Sequence, residues 1–307
     1  MLVTLVFALL PIVVTIGLGI LAGKVGDFDS HDSQQLTRLV LRYALPMSIF
    51  AGILKTPRKV IIADIPFVVW ILVGMIGAYF VFWLVMRASK VERPVAILRS
   101  MSLAAPSVPF IGSAVLPLLF AESVAAIDIG ISSLLMNVIL VPVVFWQMSL
   151  VKGENDSLGR RVLRTLKQPL VFSALLAFIL ALCGCQLPKL LVPTFTTLGQ
   201  SAGGLAMFAT GIILFSHELK LTKQIAVNVF CRNLLVPLVI WGLMLVFKVP
   251  TELVKVVVVT LAIPTAAIPT ILAIRYRVNE TEIAATQFYS TVFAIVTMAF
   301  FMLMVKF

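Results

Sequence analysis

Charged residues are scarce in this sequence. Asp, Glu, Lys and Arg make up 12% of the 307 residues, whereas 61% belong to the hydrophobic set. A soluble domain normally carries about a quarter charged residues, so this chain cannot cover a water-facing surface, and most soluble classes are excluded. Because a bilayer-spanning helix takes about 20 residues, the length fits about ten spans and leaves no room for a sizeable soluble domain.

The residues and motifs of common catalytic and metal sites are also scarce. The chain has 2 His and 3 Cys, and it contains no HExxH, Walker or GxSxG motif. Cys183-Gly-Cys185 lacks the spacing of a zinc site, and we predict that Cys183, Cys185 and Cys231 pack in the core. We therefore expect a protein that is not an enzyme and needs no cofactor or metal, and that draws on a gradient instead of on ATP.

Acidic residues are fewer than basic ones, and the net charge is +11. In a membrane protein this excess indicates lipid headgroups and topology signals instead of a nucleic-acid partner. Apolar runs predict ten helices, at 3–23, 34–54, 65–86, 94–119, 124–151, 168–188, 193–216, 224–248, 251–274 and 281–305. With both termini outside, the inner loops hold about twice as many Lys and Arg as the outer ones, although the cluster from Lys55 to Lys59 disagrees. We expect a multi-pass protein of the inner (plasma) membrane whose first span, Met1 to Ala22, is not a cleaved signal because it has no basic start.

An internal repeat divides the chain. A shift of 158 residues places Pro11 on Pro169, Trp83 on Trp241, Glu122 on Glu280 and Ser132 on Ser290. This predicts a first repeat over 1–151, a cytoplasmic linker over 152–167 and a second repeat over 168–307. Because each repeat has five helices, the second must enter the membrane from the opposite side, and inverted repeats of this kind are typical of secondary transporters.

The fourth and ninth helices each carry two prolines at mid-span, Pro106 with Pro109 and Pro264 with Pro269. Closely spaced prolines predict an unwound stretch, which survives in hydrocarbon only against protein or a water-lined cavity. If the two helices cross, the helix N-terminal ends near Phe110 and Thr270 would offer N–H groups and positive dipole ends to an anion. The alternative is a pair of ordinary proline kinks.

Ionisable residues within the spans are few. Arg232 either neutralises a substrate carboxylate, pairs with an acidic switch or extends to the cytoplasmic interface, and Arg42 has the same alternatives with more weight on the interface. Asp128 either carries a coupling proton or sits favourably at a helix N-terminus. Asn137, beside Ser132 and Ser133, and the polar run from Thr286 to Thr291 could bind substrate or join packed helices.

Several of these segments match one family in order and spacing. They are Leu41 to Phe50, Pro106 with Phe110-Ile-Gly112, Arg232 followed by Pro237, and Ser290-Thr291 with Thr297. The sequence resembles bacterial members of the auxin efflux carrier family, which is related to plant PIN proteins and to malonate and malate permeases. The resemblance implies an all-α, ten-helix, five-plus-five fold like that of bile-acid symporters and sodium/proton antiporters. Helices 1, 2, 6 and 7 would form a scaffold, helices 3–5 and 8–10 an elevator-type transport domain, and the scaffold would form homodimers.

The chain departs from the family at the fourth helix, where Ser107 stands in place of a frequent Asn, and Thr265 is its equivalent in the ninth. This favours a small carboxylate such as malonate over an auxin-like substrate, held by Ser107, Thr265, backbone N–H groups and Arg232, with Pro106, Pro109, Pro264, Pro269, Asn137 and Ser290 around it. A proton on Asp128 or on the substrate is the expected coupling ion, since there is no acidic cage for sodium. An auxin-like monocarboxylate exporter, a channel and a substrate-sensing protein are the alternatives.

Overall fold

The computed structural model describes residues 2–55, 65–151, 158–216 and 221–305, and these residues are almost entirely helical. The helices are α1 (Leu2–Val25), α2 (Ser30–Lys55), α3 (Ile65–Ala88), α4 (Arg93–Ala104), α5 (Val108–Gly112 with Ser113–Leu119) and α6 (Glu122–Leu134, Leu135–Leu140 and Val141–Val151). They continue with α7 (Leu158–Leu166), α8 (Pro169–Leu182), α9 (Val192–Ser216), α10 (Lys223–Val246), α11 (Thr251–Ala262), α12 (Ile268–Tyr276) and α13 (Glu280–Met304). Within the described ranges, 6 helices are long and apolar enough to cross a membrane, namely α2, α3, α6, α9, α10 and α13.

Prolines explain three wide turns within long helices. The residues just before Pro46, Pro142 and Pro237 each donate their N–H to the carbonyl five positions back, as in a π-helix. A proline has no N–H and its ring collides with the carbonyl four positions back, so the preceding turn widens. The helices therefore continue past these prolines instead of breaking.

Glycines allow α1 and α9 to pack backbone against backbone. A Cβ on Gly19 would collide with the Phe208 carbonyl oxygen, and one on Gly211 would collide with the Ile16 carbonyl oxygen. Gly17 faces open space. A glycine at position 19 therefore lets the backbones of α1 and α9 come into direct contact.

The end of α8 corrects the cysteine prediction. The helix ends at Leu182 instead of continuing to 188, because Gly184 adopts a left-handed conformation with φ of 82°. The Cys185 N–H donates to the Leu180 carbonyl (2.9 Å) and the Gly184 N–H to the Ala181 carbonyl (3.0 Å), which is a Schellman motif. Cys183 and Cys185 are consequently exposed beyond the helix, so the prediction that they pack in the core was wrong.

The start of α2 and the segment between α6 and α8 are two further features of the fold. Asp29 caps α2 by accepting from the backbone N–H of Asp32 and His31, and these bonds hold the pKa of its carboxyl below its usual value. The expected linker 152–167 contains helix α7, while its first part, 152–157, lies outside the described residues. The segment Lys55 to Lys59 is described only at Lys55.

Candidate functional site

Two helix interruptions meet in the interior. The first separates α4 from α5 at 105–107, and the second separates α11 from α12 at 263–267. The Ser107 N–H donates to the Pro264 carbonyl, and the Ala266 N–H donates to the Ala105 carbonyl, both at 2.8 Å. Pro106 and Thr265 thus form an antiparallel β-bridge, and this pairing satisfies backbone groups that the interrupted helices leave free.

Arg232 lies directly against this pairing. Its side chain is 0% exposed, so the prediction that it extends to the cytoplasmic membrane interface was wrong. Nη2 donates to the carbonyls of Leu261 (3.0 Å) and Ile263 (2.5 Å), and Nη1 makes a longer contact of 3.4 Å to the Leu103 carbonyl. These carbonyls end α4 and α11, where helix dipoles are negative, so the guanidinium caps both helices with one positive charge.

A second set of hydrogen bonds fixes the α11–α12 interruption to α4, α10 and α13. The Thr265 hydroxyl donates to the Ser102 carbonyl (2.5 Å), and the Thr265 N–H donates to the Ser290 hydroxyl (3.1 Å). Ser290 in turn donates to Oδ1 of Asn233 at 2.6 Å. Thr265 and Ser290 are therefore committed to internal bonds. Asn233 was not singled out from the sequence, although a polar residue beside Arg232 inside a span was a signal for it.

Other polar atoms at the interruptions have no partner within the described residues. They are the Ser107 hydroxyl, the Thr270 hydroxyl in the first turn of α12, and Nε of Arg232, all of them buried. Buried polar atoms are normally hydrogen-bonded, so an unpaired group needs an explanation. At the interruptions, these three groups therefore have hydrogen-bonding capacity that no described residue uses.

Asn137 lies apart from this set. Its amide nitrogen donates to the Ser133 carbonyl (2.8 Å), and its buried Oδ1 has no partner. It lies on the π turn Leu135–Leu140, and within the part of the chain that the structure describes no hydrogen bond links it to either interruption.

Asp128 is buried, at 1% exposure, and connects α6 to α11. One carboxyl oxygen accepts from Ser132 (3.0 Å), and the other makes a short contact with the Thr260 hydroxyl. Because Asp128 is six residues past the start of α6, beyond the first turn, a helix N-terminus does not account for its burial. The Thr260 hydroxyl was not predicted, yet it lies three residues before the carbonyl of Ile263 that Arg232 binds.

The remaining predicted residues lie in different surroundings. Pro264 and Pro269 are buried, Pro269 in the first turn of α12. Pro109 lies in the π turn Val108–Gly112, and its side chain is outside the described atoms. Arg42 is exposed and lines a separate cavity.

An ion pair that the sequence did not reveal joins three helices. Arg99 on α4 forms a bidentate pair with Glu282 on α13, at 2.6 and 2.7 Å. Asn228 on α10 donates to the same carboxylate (2.9 Å) and to the Thr286 hydroxyl (3.2 Å). Paired Arg–carboxylate groups of this geometry are strong and directional, so they fix α4, α10 and α13 relative to one another.

Comparison with known proteins assigns the chain to a family. A family model described as "Membrane transport protein" matches residues 4–302. The uncharacterized transporter YfdV of Escherichia coli K12 is 30% identical over 275 residues, which cover 88% of both chains, and its counterparts from Escherichia coli O157:H7 and Shigella flexneri match equally well. The protein is therefore a multi-pass membrane transporter, and the chain belongs to the membrane transport protein family known as the auxin efflux carrier family.

Proposed function

We propose that the protein is a secondary active transporter of small organic anions, with malonate or a similar dicarboxylate as its substrate. The observation that carries the proposal is the pairing of two helix interruptions beside unpartnered buried groups, the Ser107 and Thr270 hydroxyls. Irregular backbone inside a membrane protein is typical of substrate sites in transporters.

The charge distribution at this site favours an anion. Thr270 lies in the first turn of α12, where no side chain caps the helix and N–H groups and the positive dipole end are available. Arg232 adds a full positive charge without leaving its carbonyl partners. A carboxylate could therefore accept from Ser107, Thr270 and the backbone, while Arg232 acts through its field and its free Nε.

Uptake of labelled malonate into proteoliposomes, with a pH gradient, a sodium gradient or neither, tests the proposal. We expect saturable uptake, and counterflow distinguishes a carrier from a channel. Ser107→Ala removes a hydroxyl that makes no internal bond, so it should raise KM about tenfold, the usual loss of one hydrogen bond to a charged group. Ser100→Ala, at a serine that is equally buried but lies within α4, is the matched control. Absence of saturable dicarboxylate uptake under every gradient would refute the proposed substrate class.

The contacts of Asp128 support a proton as the coupling ion. The Thr260 hydroxyl contacts both the Val256 carbonyl (2.7 Å) and the Asp128 carboxyl. A carbonyl only accepts, so when the single hydroxyl hydrogen goes to Val256, the proton in the other contact must come from Asp128. A carboxyl that is neutral in one state and charged in another is suited to carry a proton across the membrane.

Asp128→Asn tests this coupling. The amide preserves size and hydrogen bonding but cannot exchange a proton, so accumulation driven by a pH gradient should be lost while malonate counterflow persists. Asp27→Asn, at an exposed position between α1 and α2, is the control and should retain both activities. Retained pH-driven accumulation in Asp128→Asn would rule out this residue as the proton carrier and leave the substrate itself as the alternative.

We further propose the inverted five-plus-five arrangement with an elevator mechanism, in which α1, α2, α8 and α9 form the scaffold and α3–α6 with α10–α13 form the transport group. Buried polar bonds support two groups of helices. Ser33 of α2 donates to the Ala209 carbonyl of α9 (3.1 Å), whereas the Arg99–Glu282 pair links helices of the transport group. One buried contact joins the two groups: the Thr210 hydroxyl of α9 donates to Oε1 of Gln287 on α13 at 3.4 Å. Homodimers through the scaffold and both termini outside belong to the same proposal.

Paired cysteines distinguish relative movement of the two groups from a rigid protein. In a background without the native cysteines, T210C/Q287C bridges the groups, and N228C/T286C lies within the transport group. A bridge at the first pair, formed by oxidation or a short bifunctional reagent, should stop counterflow until it is cleaved, and a bridge at the second should not. Equal inhibition by both bridges, or by neither, would contradict the elevator.

A further inference from the structure

A basic cavity lies away from the helix interruptions. It has a volume of about 420 Å³ and lies between α2, the start of α8 and the end of α12. Three cations line it, Arg42, Lys167 and Arg275, and none of the described lining residues is acidic. A cavity of this size and sign suits an anionic group.

Two of the cations are uncommitted and the third is held in place. Arg42 and Lys167 are exposed, and among the described residues neither side chain has an ion-pair or hydrogen-bond partner. Arg275 donates to Oε1 of Gln168 (2.9 Å), and its guanidinium lies 5.4 Å from the ring centre of Phe145. Three positive charges in the lining of one cavity repel one another, and an anion bound between them would offset this repulsion.

Helix α7, which directly precedes Lys167, has the composition of a helix that lies on a membrane. Its nine residues, LGRRVLRTL, include three arginines. Three of its apolar residues are nevertheless exposed, with Val162 at 44%, Leu163 at 52% and Leu166 at 41%. Basic residues combined with exposed aliphatic side chains on a short helix are typical of the boundary between headgroups and acyl chains.

Exposed aromatic side chains also lie in the lining of the cavity and on α8, whose first residues line it. Tyr43, in its lining, and Phe172, one turn into α8, are each 56% exposed. A soluble anion would gain nothing from these surfaces, whereas a lipid whose headgroup enters the cavity could lay its acyl chains along them.

We propose that this cavity binds the phosphate of an anionic phospholipid, with Arg42, Lys167 and Arg275 as its ligands and α7 on the adjoining membrane surface. The uncapped first turn of α8, which begins at Pro169, adds N–H groups on the same side. The site is distinct from the proposed substrate site and does not depend on the transported substrate. Free inorganic phosphate has the same ligand chemistry, and the experiment separates the two sources.

Native mass spectrometry of the full chain, titrated with dioleoylphosphatidylglycerol, measures this binding. The variant Arg42→Gln/Lys167→Gln/Arg275→Gln removes the three ligands. Each basic residue near an anionic headgroup contributes about fivefold in affinity, so the triple variant should weaken binding about 100-fold. Lys167→Gln alone, which breaks no bond within the described structure, should weaken it about fivefold and keeps the test valid if the triple variant does not fold.

The control variant Lys24→Gln/Arg93→Gln/Lys223→Gln removes the same charge at exposed positions elsewhere and should bind as the wild type does. Dioleoylphosphatidylcholine, which has no net charge, should bind weakly to all variants. Equal retention of phosphatidylglycerol by the triple variant and the control would overturn the site. Displacement of the lipid by millimolar inorganic phosphate would overturn the lipid assignment in favour of a free-anion site.

Discussion

Arg232→Met removes the charge that caps both interrupted helices and leaves an unbranched apolar side chain that is shorter than that of Arg. The carbonyls of Leu261 and Ile263, which receive the shorter bonds at 3.0 and 2.5 Å, lose their donor in a fully buried place. An unsatisfied buried acceptor costs about 1–3 kcal/mol, so two of them sum to about 2–6 kcal/mol. Relief of the desolvation of the guanidinium offsets part of this cost, so we expect the free energy of unfolding to fall by about 3 kcal/mol.

Unfolding by SDS titration from detergent micelles, followed by far-UV circular dichroism, measures this change. Arg232→Lys keeps the charge but replaces the planar fork with one ammonium, so we expect an intermediate loss. Arg93→Gln, an exposed arginine at the start of α4, controls for the loss of charge alone. The capping role is refuted if the free energies of unfolding of Arg232→Met and of that control differ by less than about 0.5 kcal/mol, the range of ordinary surface substitutions.

Three further predictions concern packing and buried bonds. Gly19→Ala should force α1 away from α9 and lower the free energy of unfolding by about 2 kcal/mol, whereas Gly17→Ala, which faces open space, should change it little. Arg99→Gln, Glu282→Gln and the double variant should give a coupling energy of about 2 kcal/mol in a double-mutant cycle, because the pair is bidentate and largely buried. Tyr79→Phe should cost about 1–3 kcal/mol, since the buried amide that accepts its hydroxyl at 2.5 Å loses its donor.

All three are measured by the same SDS titration, and each has an outcome that contradicts it. Equal effects at Gly19 and Gly17 would mean that α1 and α9 are not in backbone contact. Additive losses at Arg99 and Glu282 would mean that the two side chains do not interact. An unchanged free energy of unfolding for Tyr79→Phe would mean that water satisfies the amide.

The sequence predicted where the backbone of each broken helix becomes irregular, but not which groups form hydrogen bonds there. Closely spaced prolines locate both interruptions, because their effect on a helix is local. The partners of Ser107 and Ala266 are backbone carbonyls, which have no residue signature, so the two hydrogen bonds between the interruptions could not be read from side chains. A buried arginine needs hydrogen-bond acceptors, and this much followed from the sequence. The acceptors of Arg232 are backbone carbonyls too, so the sequence could not decide between a substrate ligand, an acidic partner and the membrane interface.

Pairing over long sequence distance limited the prediction elsewhere. Arg99 and Glu282 are 183 residues apart, and nothing in either local segment points to the other. The exposure of Cys183 follows from one glycine, Gly184, whose left-handed conformation ends α8 six residues before the apolar run predicted.

The hydrogen bonds between the two interruptions have a consequence for how the protein can be divided. Each half of the chain contributes one side of the bridge between Pro106 and Thr265. Expressed alone, either half would hold bare peptide groups within hydrocarbon, at a cost of several kcal/mol per group. If the gene is divided between residues 152 and 157, we expect each fragment to be degraded when it is produced alone. The two fragments should restore a stable protein when they are produced together, so neither half of the chain can fold in the membrane without the other.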